Sequence, residues 1–574
     1  MERGSKGGSC IVLLVALLSM VPALAAGFEI GVTGSGFAIS IMDHELLARA
    51  QPDECFTGLG QNGPGIPPGG CPGDALPKTN EAYVWGLAQA GNMLWLGTAP
   101  NVHCLVLGGY LGMDSPMENS SWTCEFGQGW PSRTLGIPSS IGDWRPASIY
   151  TYDLAGHNLV KRTPPDPRLA GTLGIRSAGA LGDVVFLGGP ALVGGINLFA
   201  FNARSGEYLG SKNFAQYNNI RKWLVHGGRL YTAVGFGGNE FLSGGGHVLK
   251  WTGSLADPWS FEVVGNLDGS GAELASMGER LAVSTWPGAA RAGVFISPVV
   301  PAGGLTAADA GGWKKVWSAD RYEPDPVTAA TYGGGALAFF DGWLYWGTMN
   351  VPLLSAVAHF QVYGNPESAR QALDAVRATH RAIALFRGRY LDSARPEIQL
   401  LYGEKRLPAF DASRGRFVDT PTGMTPRYGA SGFGNPFNNY TWTMQVAAGQ
   451  LFVGTMDWRY LFDKMVADLL GGQMAPLFGV LDDLTQLFPV QLWQGYGADL
   501  WRFKNSYQPA VCESFDGIKN HLNYGIRTMI ADERDADALL LGTANPMNLE
   551  EDGGWELLRL AKPRSSWLSP WRTR

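Results

Sequence analysis

The sequence predicts an all-β fold, a seven-bladed β-propeller, on three observations. One phrase recurs seven times: an apolar-rich strand, a tight Gly-containing turn, and a second strand that often ends in Gly-Thr. It is clearest from Tyr440 to Thr455 (YTWTMQVAAGQLFVGT), and related phrases begin near Tyr83, Ile175, Ile220, Ala272, Gly334 and Ile526. These repeats spread over roughly positions 80 to 560 of the 574 residues, which favours one large closed architecture with insertions over several domains. The composition, 79 Gly and 20 Trp with only 16% charged residues, suits many short strands joined by turns. A formal charge of -6 and the lack of any basic run leave no phosphate-tracking patch, so nucleic acid is not an expected partner.

Residues 1–25 read as a secretory signal peptide. Arg3 and Lys6 precede the apolar run Ile11 to Met20, and Ala23-Leu24-Ala25 supplies the small-x-small pattern of a cleavage site near Ala25. That apolar run is shorter than the roughly 20 residues a membrane span needs, and no later run is long and apolar enough. The mature chain is therefore expected to be secreted or periplasmic, with no transmembrane span. After cleavage five Cys remain; proximity suggests Cys55 with Cys71 and Cys104 with Cys124, leaving Cys512 alone, although spacing by itself leaves other connectivities open.

Residues 26–79 form a Gly- and Pro-rich segment with two short strand candidates, Phe28 to Val32 and Phe37 to Met42. One of these is a candidate outer strand for the last blade, because closing the ring removes exposed edges. The propeller itself is expected over 80–562, followed by a tail at 563–574. After each strand pair comes a third strand: Ser148 to Tyr152, Ile196 to Phe201, His247 to Trp251, Gly293 to Ser297, Ala382 to Phe386, Ala498 to Phe503 and Trp555 to Leu560. A fourth strand is visible around Trp259 to Val264 and Trp313 to Trp317, and four strands per unit make a propeller blade.

Over roughly positions 80 to 560 the chain resembles the kelch-like and Asp-box-like propeller repeat proteins. The residues that carry the resemblance are Gly188-Gly189, Gly347-Thr348, Gly454-Thr455 and Gly542-Thr543 closing the second strand, an aromatic third strand and a later Trp. Asp309-Ala310-Gly311-Gly312-Trp313 is similar to a degenerate Asp-box that lacks the usual Ser and Thr. The resemblance implies fold alone, since such propellers include hydrolases, oxidases and pure binding modules.

With strands named A to D outward, the long B-to-C connections run from about Ala99 to Pro146 in blade 1, Met349 to Arg381 in blade 5 and Asp457 to Gly497 in blade 6. B-to-C connections all emerge on one face, so these insertions are expected over one mouth of the channel. Two of them carry helical patterns. Asn365-Pro366 opens one, with Ala369, Leu373 and Val376 as its apolar stripe, and Tyr460 to Leu470 followed by Leu477 to Phe488 forms the other. They suit a lid, a docking surface or a helical pair packed on the propeller.

Formal catalytic motifs dissolve on inspection. Gly58, Gly60 and Gly63 satisfy G-x-G-x-x-G, but Pro64, Pro67 and Pro68 stand where a helix must begin, and His44-Glu45 is followed by Ala48 where a zincin needs its second His. No metal or cofactor is expected. What survives is positional. Nine residues before the first large apolar residue of each B strand stand Trp85, Arg176, Arg221, Ala272, Gly335 and Trp442, and Arg527 follows in the last repeat if its turn is three residues longer. This level lies near the start of strand A, so three arginines and two tryptophans are expected to share one height in the channel. Six residues past the same anchor, blades 5, 6 and 7 carry Asn350, Asp457 and Asn545, either facing a ligand or starting turns through their side chains.

Two functions follow. The first is a non-catalytic exported propeller that binds a small anionic or sugar-like ligand, or a protein partner, at its insertion-rich face. The second is a hydrolase or lyase acting on an anionic or sugar-like substrate in the channel mouth, with Asp457 as acid or base.

Overall fold

A computed structural model describes residues 40–563, apart from 62, 113, 239–242 and 462–495. The expected signal peptide, the strand candidate Phe28 to Val32, the tail beyond 563 and all but Tyr460 and Leu461 of the second helical pattern lie outside the described residues.

Local turn chemistry sets the strand pairs. Asp341 (φ 49°) and Gly342 (φ 77°) sit between the paired residues Phe340 and Trp343, and two consecutive left-handed residues make the tight hairpin whose twist matches its strands. Each inner pair then grows into a four-stranded antiparallel meander. In chain order their inner strands are Glu81–Ala90, Ser177–Leu181, Asn219–His226, Gly271–Met277, Tyr332–Phe340, Asn438–Ala447 and Gly525–Asp532. Every inner strand packs against the inner strands of the sheets before and after it, and the last packs against the first. This cyclic order is β-propeller architecture.

The recurring Gly-Thr explains how the sheets meet. A Cβ on Gly97 would lie 2.0 Å from the Ile175 side chain of the next sheet, and one on Gly454 would lie 2.8 Å from Ile526. Only glycine admits so close a neighbour. The threonine that follows fastens the incoming third strand: Thr98, Thr348, Thr455 and Thr543 accept hydrogen bonds through Oγ1 from the backbone N–H of Ser148, Ala384, Asp499 and Glu556 at 2.9 to 3.0 Å.

The outer strand of the last sheet is Asp43–Arg49, paired antiparallel to Glu556–Ala561. It begins just beyond the candidate Phe37 to Met42, whose described part, Ser40 to Met42, is held instead by hydrogen bonds. Ser40 Oγ and the Ile41 and Met42 N–H groups all reach Glu513 Oε1 of the preceding sheet. A buried Arg502 at 2.7 Å keeps that carboxylate oriented. The third strands of the first, fifth, sixth and last sheets begin at Ile149, Leu385, Leu500 and Glu556, slightly later than expected.

The insertions differ from expectation in detail. Asn365-Pro366 does not open a helix; the helix runs Ala369–Thr379, because the Ser368 side chain caps it by accepting from Gln371 N at 3.2 Å. Two further helices, Leu354–Tyr363 and Val102–Leu111, escaped sequence reading because they are apolar on nearly every side and carry no side-chain cap. Cys55 is bonded to Cys71 and Cys104 to Cys124, while Cys512 is unbridged. Among the described residues no helix is long and apolar enough to cross a membrane.

Candidate functional site in the channel

The level of Trp85, Arg221, Ala272, Gly335, Trp442 and Arg527 coincides with a break in register that recurs along the inner strands. Pairing skips from Val84 to Gly86, Ile220 to Trp223, Gly271 to Leu274, Gly334 to Leu337, Thr441 to Thr443 and Ile526 to Thr528. Each skip is a β-bulge, which leaves one residue, or two in the third, fourth and fifth sheets, out of the ladder and re-aims the side chains there. Arg176 stands just before its own strand begins at Ser177.

The three arginines converge. Arg527 belongs to the last sheet and Arg221 to the third, with the first and second sheets between them around the ring, so their mutual repulsion acts across the axis. The Arg527 guanidinium is driven well below its ordinary pKa by burial first, then by the charge of Arg221, with Glu273 pulling it back and Arg176 adding to the repulsion. Arg221 lies 3.8 Å from Glu273 Oε1, and Arg176 donates through Nη1 to Asn219 Oδ1 at 2.8 Å. Among the described residues no hydrogen bond or ion pair reaches Arg527, although it is only 5% exposed.

Each guanidinium lies on a tryptophan of an adjacent sheet. Arg176 is 5.1 Å from the Trp85 ring, Arg221 is 5.1 Å from Trp286, and Arg527 is 5.7 Å from Trp442. A contact over the ring face leaves the in-plane N–H donors of Arg527 free of protein partners among the described residues, and paired in-plane donors are how arginine meets a carboxylate or sulfate. Trp442 also packs edge-on against Tyr83, Tyr440 and Tyr524.

The insertions cover this level. Val102, Leu105, Trp122 and Phe126 from the first, Val351 and Val376 from the second, and Trp458 and Leu461 from the third share one buried cluster with Tyr83, Trp85, Trp286 and Trp442. Tertiary packing thus places an apolar layer over the charged one.

The second level does not converge in this way, and each of its members is engaged by its own surroundings. Asn545 accepts from Met547 N at 3.2 Å and donates to Asp552 O at 2.8 Å, which is turn chemistry. Buried Asn350 approaches only Thr348 Oγ1, at 3.5 Å. Asp457, 2% exposed, accepts from Arg459 N and from Asn435 Nδ2, both at 2.7 Å. Its neighbour Asp499 is pushed up to about 7 by burial and then by the charge of Asp457, against hydrogen bonds from Asn438 and Trp501.

Three residues of the two sites were missed in the sequence. Glu273 is adjacent to Ala272, and reading two residues per bulge rather than one reveals it. Trp286 and Asp499 carry no signal, because each reaches its site from the residue after a strand or from the far end of a long insertion.

No protein-family model matches the chain, and no curated protein matches its sequence. Among solved structures, the extracellular domain of a hybrid two-component system from B. thetaiotaomicron aligns over 88% of this chain and 39% of its own, at 11% identity and a TM-score of 0.37. The β-propeller domain of the Trilobed protease from Pyrococcus furiosus aligns over 58% of this chain and 89% of its own, at 10% identity and a TM-score of 0.24. The chain thus spans well under two thirds of the first of these structures. With no family model matched, neither a kelch nor an Asp-box family is identified, and the propeller architecture rests on the cyclic packing of the inner strands.

Proposed function

We propose that the chain is an exported, seven-bladed, non-catalytic propeller that holds a small anion in its channel, beneath the insertion-rich face. The blade count is supported by the cyclic packing of the inner strands, and export by two disulfides, which persist in oxidising compartments. One observation carries the ligand class: a buried Arg527 that, among the described residues, has no hydrogen bond or ion pair, lies over the Trp442 ring and in the field of two more arginines, against Glu273 as the acid that opposes them. Buried like charges are stabilised by an opposite one, and a carboxylate or sulfate supplies it with the matching fork of acceptors. The hydrolase or lyase reading lacks similar support, since both oxygens of Asp457 are occupied by the protein.

The test is thermal melting with chloride, sulfate, small carboxylates and acidic sugars, for the intact protein and for Arg176→Met, Arg221→Met and Arg527→Met. An anion-dependent rise in Tm that vanishes in Arg527→Met is expected. If all three variants lose stability and no anion shifts the intact protein, the arginines are staples between sheets and the proposal fails.

A further inference from the structure

A cavity of about 320 Å³ opens on the flank of the ring, where the first and last sheets meet the N-terminal segment, and none of the channel arginines lines it. Glu81, at the start of the first inner strand, forms its interior. Arg49 and Lys161 stand at its rim, and the rings of Trp130, Tyr150 and Trp555 wall it.

Two buried polar atoms among these residues lack a partner. Glu81 is 6% exposed and, although the Thr98 and Ser148 hydroxyls lie near its carboxyl group, its Oε2 accepts no well-formed hydrogen bond among the described residues; Trp555 is 1% exposed and its Nε1 donates none there. The other acids nearby are committed. Asp53 accepts from Asn80 N and Nδ2 at 2.8 and 3.0 Å, and Glu54 is bound to Arg145 at 2.6 Å. A buried acceptor left unmatched is costly to the fold, and beside an open cavity a bound ligand is one way to offset that cost.

Charge is ordered along the cavity. The inner end carries Glu81, whereas Lys161 is exposed above the Tyr150 ring, 5.8 Å from its centroid, and Arg49 reaches out to Asp552. A simple anion would meet Glu81 inside. A simple cation would have to pass Lys161 and Arg49. A neutral polyol would leave the inner charge unmatched. A molecule bearing both charges answers both ends, with its carbon chain against the aromatic walls, and cavities of this size suit small ligands.

We propose that this flank pocket binds a small zwitterion, an amino acid, with its ammonium on Glu81 and its carboxylate toward Lys161 and Arg49. Burial pushes the Glu81 carboxyl up to about 7, the Thr98 and Ser148 hydroxyls and Lys161 draw it back, and the charge of Asp53 adds to the rise. Because an ammonium needs the ionised carboxylate, affinity rises with pH through about 7, and binding below that pH releases a proton.

The experiment is calorimetric titration of the whole protein with glycine, L-leucine and 6-aminohexanoate at pH 6 and pH 8, with acetate, butylamine and glucose for comparison. At least one zwitterion is expected to bind, more tightly at pH 8, with about tenfold or greater weakening in Glu81→Gln and in Lys161→Ala. Lys161 is on the surface, so that variant keeps its fold even if Glu81→Gln does not. The proposal is overturned if no zwitterion gives heat, if glucose, acetate or butylamine binds as well as the zwitterions, or if Lys161→Ala leaves zwitterion affinity unchanged.

Discussion

Two clusters of buried charge lie in this molecule and are built on opposite plans. Beneath the first sheet, Lys78 and Arg145 face Glu54, Glu125 and Asp143. Lys78 Nζ is 2.6 Å from Asp143, Arg145 Nε is 2.6 Å from Glu54, and Arg145 also contacts Asp143 and Glu125. Burial presses the Asp143 carboxyl upward, but Arg145 and Lys78 hold it below its ordinary range. Glu125, pushed up by burial and by Asp143, accommodates the surplus negative charge by taking a proton more readily. In the channel, Arg176, Arg221 and Arg527 face Glu273, and burial first, then repulsion from Arg221, lowers the Arg527 pKa. The first cluster is satisfied inside the fold and ties the N-terminal loops to the first insertion. In the second, Arg527 has no such match among the described residues, the condition under which an external anion stabilises a protein.

Substitution should separate the two. Arg145→Met leaves three buried carboxylates facing Lys78, and a loss of about 3–5 kcal/mol is expected in chemical denaturation. A loss below about 1 kcal/mol would mean that the network is not the staple its distances suggest.

The Asp457 and Asp499 pair extends the same logic to like negative charge. Asp499 titrates near 7 in the fold and near 4 when unfolded, so between those values the native state holds the extra proton. Its contribution to stability therefore falls as pH rises from about 4 to 7 and stays low above that. Asp499→Asn should be more stable than the parent by about 1–3 kcal/mol at pH 8 and should flatten the decline between pH 5 and 7. Parallel pH profiles for the two proteins would show that the carboxyl is not under this strain.

Arg527→Met should change anion-free stability by less than about 1 kcal/mol, or raise it, because removing one of three repelling charges offsets the lost contact with Trp442. A loss of the size expected for Arg145→Met would make the two clusters alike. Glu273→Gln tests the same cluster from the acid side. It removes the buried carboxylate that opposes the arginines, so it should lower stability in low salt by about 3 kcal/mol, and added sulfate should restore part of that loss. Failure of sulfate to do so would indicate that no anion takes the place of the carboxylate.

The strand pairs and their tight turns are legible in the chain itself, because alternation and turn preference act over a few residues. So is the level shared by Arg176, Arg221 and Arg527, since a repeat places equivalent residues at equivalent heights. Helix starts are less legible: Asn365-Pro366 has the right chemistry, yet Ser368 takes the cap, because packing of Ala372 and Val376 into the buried layer selects the register. Nothing local distinguishes Asn545, spent on its turn, from Arg527, turned into the channel by a bulge. The charges that act on Arg527 come from other sheets, hundreds of residues away along the chain, whereas Arg145 is matched by Asp143 and Glu125 of its own insertion and by Glu54 of the N-terminal segment. That Arg527 is left under burial and repulsion is therefore decided only when the ring closes and brings those sheets to a common axis.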